Sequence, residues 1–290
     1  MRMIVLICLL LMTPIGSAAH AQDDFDSAAC VNPLRIATWN IENFNVSRLD
    51  DSDSADALVA TWAAIDADIV ALQEIGSQEA IDSLLTLVNA MTGRDYQAVL
   101  SYRGGGSQKV GFAWDSETVS PLTEAAQIDS LRLRGTRLRP GFTMDFRFGA
   151  YDFTLVTLHL KATQETPSQR IREAQMTLLA QWFDERPPDA DEDVIILGDY
   201  NDLLDAAPLQ PISEIFFFAT SELPDDAVSF IGAEHRSLID HIALSPGTGA
   251  SDEFCSIVVF DPAQIDLTEA EFQQLASDHL PLVVTMTTAS

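Results

Sequence analysis

Short apolar runs recur along the whole chain, and they constrain its fold more than any other feature. They are Leu34–Asn40, Asp68–Glu74, Lys109–Trp114, Phe142–Phe148, Tyr151–Leu160, Asp193–Asp199, Leu238–Leu244, Phe254–Phe260 and Leu280–Met286. Runs of this length with little polar alternation predict strands, several of them buried on both faces. Between them apolar residues recur at helical spacing: Leu58, Val59, Trp62 and Ile65, then Ile81, Leu84, Leu85 and Val88. A third helix is predicted with Thr166 as N-cap, Pro167 in its first turn and Gln169 three residues after the cap. Its apolar face would hold Ile171, Ala174, Leu178, Leu179 and Trp182, and Pro187-Pro188 would stop it. Many strands with helices outside suggest two sheets face to face, covered by helices.

The N-terminus predicts export. Met1-Arg2-Met3, an apolar stretch from Ile4 to Met12 and small residues ending Ala19-His20-Ala21 have the order of a secretory signal cut after Ala21. The stretch is shorter than the roughly 20 residues that span a bilayer, so no stable membrane insertion is expected. With residues 1–21 read as signal and 22–33 as a loose acidic arm, 34–290 reads as one domain, because no repeat, linker or composition shift divides it. Localisation is then secreted or periplasmic. In an oxidising compartment Cys30 and Cys255 are expected to pair, a closure worth roughly 4 to 5 kcal/mol in the chain-entropy treatment. The alternative is an inert buried Cys255 and a free Cys30.

The formal charge is −28, with 44 acidic residues against 16 Lys and Arg. Such a field repels polyanions at long range, which argues against tight sequence-specific DNA binding. It does not exclude chemistry on a phosphate ester, because a bound metal is the largest local charge in its own site. Arg132, Arg134, Arg137 and Arg139, with Arg147 nearby, form the dense basic stretch. Alternation would put Arg132 and Arg134 on one strand face, either as a phosphate-gripping edge or as a solvated hairpin. Gly104-Gly105-Gly106 lacks phosphate-loop spacing and reads as a flexible turn. Asp51, Asp53 and Asp56 read as charge at a helix N-terminus, Phe216-Phe217-Phe218 as core, His235 as exposed, and His241 as turned away from its neighbour Asp240.

Polar residues sit where the apolar runs end: Asn40, Glu74, His159, Asp199 and Asn201, Asp240, and Asp278-His279. Polar groups at buried strand ends are costly unless they bond each other or an ion, so these ends point to a shared site. Carboxylate and amide oxygens, as in Glu74, Asn40 and Asp278, suit Mg²⁺, with Mn²⁺ or Ca²⁺ as alternatives. Asp199 and His279 can orient or deprotonate a water. His159 and Asn201 can donate to charge developing on phosphoryl oxygens.

The segments Arg35-Ile36-Ala37-Thr38-Trp39-Asn40-Ile41, Asp68-Ile69-Val70-Ala71-Leu72-Gln73-Glu74, His159-Leu160-Lys161-Ala162, Gly198-Asp199-Tyr200-Asn201-Asp202, Ile239-Asp240-His241-Ile242 and Ser277-Asp278-His279-Leu280-Pro281 resemble, in order, the motifs of the endonuclease/exonuclease/phosphatase family (deoxyribonuclease I-like). The resemblance implies an α/β fold, a four-layer α/β/β/α sandwich of two packed mixed sheets flanked by helices, with the site at one rim. It implies that Asn40 and Glu74 help hold the metal with Asp278 close by. Asp199 would orient or activate the water, Asn201 and His159 would bind the scissile phosphate, and Asp240 would hold His279 in its useful tautomer. The pair Arg139-Pro140 resembles a position that contacts phosphate. The first expectation is an exported, Mg²⁺-dependent nuclease acting on DNA or RNA with little sequence preference. The second is a phosphoesterase of the same fold acting on a lipid, inositol phosphate or nucleotide, and the third a binding protein without turnover. No protein partner is evident.

Overall fold

The computed structural model describes residues 30–133, 136–233, 235–247 and 249–288. The expected signal and most of the arm lie outside the described residues. In chain order the elements are β1 (Leu34–Phe44), α1 (Ser52–Ile65), β2 (Ile69–Ile75), α2 (Gln78–Thr92), β3 (Tyr96–Leu100), β4 (Lys109–Asp115), β5 (Val119–Pro121), β6 (Ala126–Ile128), β7 (Gly141–Phe148), β8 (Tyr151–His159), α3 (Thr166–Asp184), β9 (Val194–Asp199), α4 (Gln210–Ser213), β10 (Phe217–Phe218), β11 (Asp240–Leu244), β12 (Phe254–Val259), α5 (Glu269–Leu275) and β13 (Leu282–Met286). They build a six-stranded sheet in the order β12-β13-β1-β2-β4-β3 and a seven-stranded sheet, β10-β11-β9-β8-β7-β5 with β6 also on β7. Each sheet is mixed: β1 runs parallel to β2, and β8 to β9, while the other pairs are antiparallel.

Strand alternation explains the layers. Ile36, Ile69, Phe112, Phe142, Phe153, Leu155, Ile195 and Leu197 face inward and fill the space between the sheets. Their neighbours Ala37, Trp39, Val70 and Leu72 face α1 and α2 through Leu58, Trp62, Ile81 and Leu84, with Phe272 of α5. On the far side Val156, Leu158, Val194 and Ile196 pack under Met176 and Leu179 of α3. Full burial of each such Phe, Ile or Leu contributes about 1.5–3 kcal/mol, so the sandwich holds because nearly every strand residue is used on one face or the other. One polar chain crosses the inter-sheet layer. Thr38 Oγ1 donates to Gln73 Oε1 (3.3 Å), and Gln73 Nε2 donates to Thr157 Oγ1 of the opposite sheet (3.0 Å).

Two local expectations need correction. The N-cap of α3 is Glu165, whose side chain makes no capping bond, and the helix buries Ser168, Arg172, Gln175, Met176 and Leu179. Of the expected apolar face Leu179 is buried and Leu178 and Trp182 pack against the core, while polar Arg172 and Gln175 are buried beside them because they hold loops. Arg172 donates to Asp202 (2.8 Å) and to the carbonyls of Lys161 and Thr163, while Gln175 donates to Leu131 O. Arg132 ends a 3₁₀ turn, Asp129–Arg132, and does not lie on a strand; Arg134 lies outside the described residues. The Phe triplet is core, with Phe216 and Phe218 buried. Cys30 and Cys255 form a disulfide with Cα atoms 6.2 Å apart, tying the segment before β1 to the edge strand β12.

Candidate active site

The ends of β1, β2, β8 and β9, the start of β11 and the turn before β13 converge on one rim. Asn40, His159, Asp199, Asp240 and His279 are each 5% exposed or less there. Asp199 sits at the centre. Its Oδ2 accepts from Asn40 Nδ2 at 3.0 Å and lies 3.3 Å from His159 Nε2 and 3.9 Å from His279 Nε2. Its Oδ1 accepts from the backbone N–H of Asn201 at 2.9 Å. His279 Nδ1 donates to Asp240 Oδ2 at 2.7 Å, which leaves Nε2 facing Asp199 and Asp278. The ring of Phe230 packs edge-on against the His279 imidazole, centroids 5.1 Å apart.

The backbone is bent to make this convergence. Both β1 and β2 carry register shifts near their ends, between Asn40 and Phe44 and between Leu72 and Ile75. Bulges of this kind re-aim side chains at a sheet rim. Glu42, Asn43, Glu74 and Asn201 all have positive φ, at 38°, 50°, 61° and 54°. Left-handed backbone at non-glycine residues costs about 1–3 kcal/mol each and clusters where function needs the geometry. Gly198, at φ +144°, is required by packing, since a Cβ there would lie 2.2 Å from Leu158 O.

Electrostatics separate the groups. Burial alone lowers the His279 imidazole, but Asp240, its hydrogen bond, Asp199 and Asp278 together push it up to about 10. It is therefore an imidazolium at neutral pH. Asp199 is raised, chiefly by burial, with His279 pulling down and Asp240 pushing up. His159 is driven well below the ordinary histidine range by burial, then by Arg139 and His279, and so stays neutral. Asp278 is raised by burial and, after the lowering effect of His279, by Glu74; Glu42 is raised by burial and then by Asp278.

The sequence of this site carries a family signature. The profile of the Endonuclease/Exonuclease/phosphatase family matches residues 37–279. The chain belongs to that family. Members of the endonuclease/exonuclease/phosphatase family are divalent-metal-dependent hydrolases of phosphate esters. Among curated relatives, the human endonuclease/exonuclease/phosphatase family domain-containing protein 1 is 27% identical over 190 residues, 58% of this chain and 33% of that protein. The Xenopus laevis protein of the same name is 26% identical over 186 residues, again 33% of its length. This chain thus spans about a third of the curated relatives it matches. Solved structures share the fold: D. rerio TDP2 complexed with a single-strand DNA product (18% identity, TM-score 0.64, covering 88% of this chain and 99% of that one). The human nocturnin catalytic domain with a bound sulfate anion (19%, 0.64, 89% and 96%) and a Bacteroides thetaiotaomicron mannosyl-6-phosphatase (15%, 0.63, 88% and 100%) match as well.

The family's metal fits the donors present. Beyond burial, Glu74 raises the Asp278 carboxyl, and Asp278 and Glu74 both raise that of Glu42, a cost that a hard cation at these oxygens would remove. Asn40 Oδ1 accepts the Glu42 N–H at 3.0 Å and keeps its second lone pair. Asp199, Asp240 and His279 also bring ligand-type atoms within 4.8 Å of one another. Within that trio His279 Nδ1 is already engaged by Asp240 Oδ2 at 2.7 Å.

Arg139 stands on the opposite flank. Its Nε and one Nη donate to the carbonyls of His159 and Leu160, both at 3.1 Å, and its charge lies near Asp199 and Glu74. Asn201 turns its amide toward Leu160 O at 3.4 Å. Several residues that shape the site were not singled out from sequence. Arg48 donates to the carbonyls of Ile41, Glu42, Leu275 and Ala276, locking β1 to α5. Ser277 Oγ bridges Asn40 O and His279 N, and Ser229 Oγ holds the Asp240 N–H. Only Ser277 carried a signal, its place beside Asp278-His279. As expected, His235 is exposed, and His241 turns away to Thr220 and the Asp202 carbonyl.

Proposed function

We propose that this protein is an exported, divalent-metal-dependent phosphodiesterase that cuts DNA or RNA with little sequence preference. The observation that carries the reading is the placement of one raised carboxylate, Asp199, between a neutral histidine, His159, and a cationic one, His279. In the assigned roles, Glu74 and Asn40 hold the cation with Asp278 beside it. The cation supplies charge neutralisation at the phosphoryl oxygens. Asp199, more basic than an ordinary carboxylate, orients a water and takes its proton. His279, kept charged by Asp240, donates from Nε2 to the phosphate, and His159 and Asn201 add neutral donors. Arg139 adds a cation on the far flank. The TDP2 structure with a DNA product supports a nucleic acid substrate, and the disulfide supports an oxidising compartment. Among the described residues no helix is long and apolar enough to cross a membrane.

The charge of −28 favours a second reading, a small or lipid phosphate ester that feels less long-range repulsion. Incubating the metal-loaded protein in parallel with plasmid DNA, RNA, sphingomyelin, an inositol phosphate and mononucleotides decides between them. Cleavage of DNA or RNA is expected. Intact nucleic acid beside a hydrolysed lipid, inositol phosphate or nucleotide would sink the first reading.

A further inference from the structure

The β3–β4 loop and the segment before β7 are pressed together beside the site, and glycines make this contact possible. Gly104 and Gly105 have φ of +74° and +69°. A Cβ on Gly104 would lie 2.6 Å from Leu138 O and 2.9 Å from Arg132 Nε, and one on Gly105 would lie 2.8 Å from Arg139 Cγ. The backbone N–H of Gly105 donates to Arg137 O at 3.2 Å. Gln127 Oε1 accepts from the N–H groups of Tyr102 and Arg103, at 2.7 and 2.8 Å, and so fixes the loop's crest.

The crest holds Tyr102, 64% exposed, with the Arg103 guanidinium 5.5 Å from its ring centroid. Arg103 and Arg132 share the single carboxylate of Asp129, at 3.6 and 3.5 Å, and Arg137 is exposed. From there the strip runs into the site. Arg139 donates to Gln108 Oε1 (3.1 Å), Gln108 Nε2 to Asn43 Oδ1 (2.8 Å), and the Asn43 N–H to Glu74 Oε2 (2.9 Å). An exposed aromatic ring among guanidinium groups, on an anchored loop of a strongly acidic chain, has the makeup of a single-strand binding track.

We propose that Tyr102, Arg103, Arg132 and Arg137 carry a single strand of nucleic acid on one side of the scissile phosphate, a base stacking on Tyr102 while phosphates meet the arginines. This rests on the nuclease reading and adds where the strand runs and why an unpaired one is preferred. Because the rest of the surface repels a polyanion, affinity is concentrated in this strip.

The test uses the metal-loaded protein, a short fluorescent single-stranded DNA and, in parallel, bis-p-nitrophenyl phosphate. The triple variant Arg103→Gln/Arg132→Gln/Arg137→Gln should raise KM for the DNA at least tenfold and flatten the log KM against log salt slope by about 2, at roughly 0.7 per lost phosphate contact. Tyr102→Ala should raise KM about tenfold with the slope unchanged. Turnover of the small diester should stay within twofold. Arg103→Glu, at a guanidinium 63% exposed and outside the loop packing, should reproduce the KM effect even if the triple variant folds poorly. Unchanged KM and slope in Tyr102→Ala and Arg103→Glu, with wild type cutting the DNA, would overturn the track and leave the nuclease reading standing. A wild type that turns over the small diester but leaves the DNA uncut would overturn both.

Discussion

Asp240→Asn tests the electrostatic assignment most directly. In the native protein the His279 imidazolium is held up to about 10, with Asp240 the largest of the raising causes and burial opposing it. An amide in its place removes the charge and leaves at best a neutral acceptor, or an NH2 facing the wrong way, at the position that meets Nδ1 at 2.7 Å. With burial then dominant, the imidazole should fall to its ordinary value of about 6.5 or below. At pH 8 the charged fraction would drop from nearly all to about 3% or less, a loss of roughly thirtyfold in rate from protonation alone. Misorientation of the ring adds to this, giving a total deficit of about 10² to 10⁴. At pH 5.5 protonation returns and only the misorientation remains. The assay is kcat/KM for bis-p-nitrophenyl phosphate from pH 5.5 to 9, with circular dichroism at each pH to check folding. The native His279 contributes stability that is complete below about 6.5 and fades as pH climbs through about 10, so neutral pH is a fair place to compare. A deficit that is the same at every pH, or activity within threefold of wild type, would refute a charged His279.

Glu74→Gln should weaken Mn²⁺ binding by about 10- to 100-fold, read by calorimetry on the folded protein, while thermal stability without metal stays level or rises. Gly198→Ala places a Cβ 2.2 Å from Leu158 O at φ +144° and should cost about 2–4 kcal/mol in urea unfolding. Cys30→Ser/Cys255→Ser opens a closure of sequence separation 225 and should cost about 5 kcal/mol under non-reducing conditions, with little change in kcat. Asp193 is pushed up to about 7 by burial and then by Glu253, Asp191, Glu192 and Asp252. A raised carboxyl costs nothing at pH 3.5 and its full penalty above pH 7, so Asp193→Asn should stabilise by about 1–2 kcal/mol at pH 8, discounted for its half-burial, and by almost nothing at pH 3.5.

The sandwich was legible because buried strands cannot hide their apolar runs. Ile195, Leu197 and their partners must be apolar on both faces, and the runs that held them ended at Asn40, Glu74, His159 and Asp199. Short edge strands escaped: β5, β6 and β10 are two or three residues long and carry no periodicity. The face of α3 was only partly read: Leu178, Leu179 and Trp182 do pack on the core, but Arg172 is buried for its bonds to loops, and hydrophobic periodicity cannot register a buried charge. A related reason hid Arg48, two of whose carbonyl partners, Leu275 and Ala276, lie at the far end of the chain. Glu42 and Asn43 lie beyond the apolar run that ended at Asn40, and a bulge with positive φ brings the Asn43 N–H to Glu74 and the Glu42 carboxylate to the Asp278 N–H.

Asn40 and Glu74 hang from one sheet, and His159, Asp199 and Asp240 from the other, joined by packed side chains, by the Thr38–Gln73–Thr157 bridge and, at the rim, by the Asn40–Asp199 hydrogen bond. The spacing of the two rims is therefore set by the filling of the sandwich as well as by the bond at its mouth. Relatives could change the size of the group they grip by trading a ring for a methyl deep in that filling, while every reacting residue stayed the same.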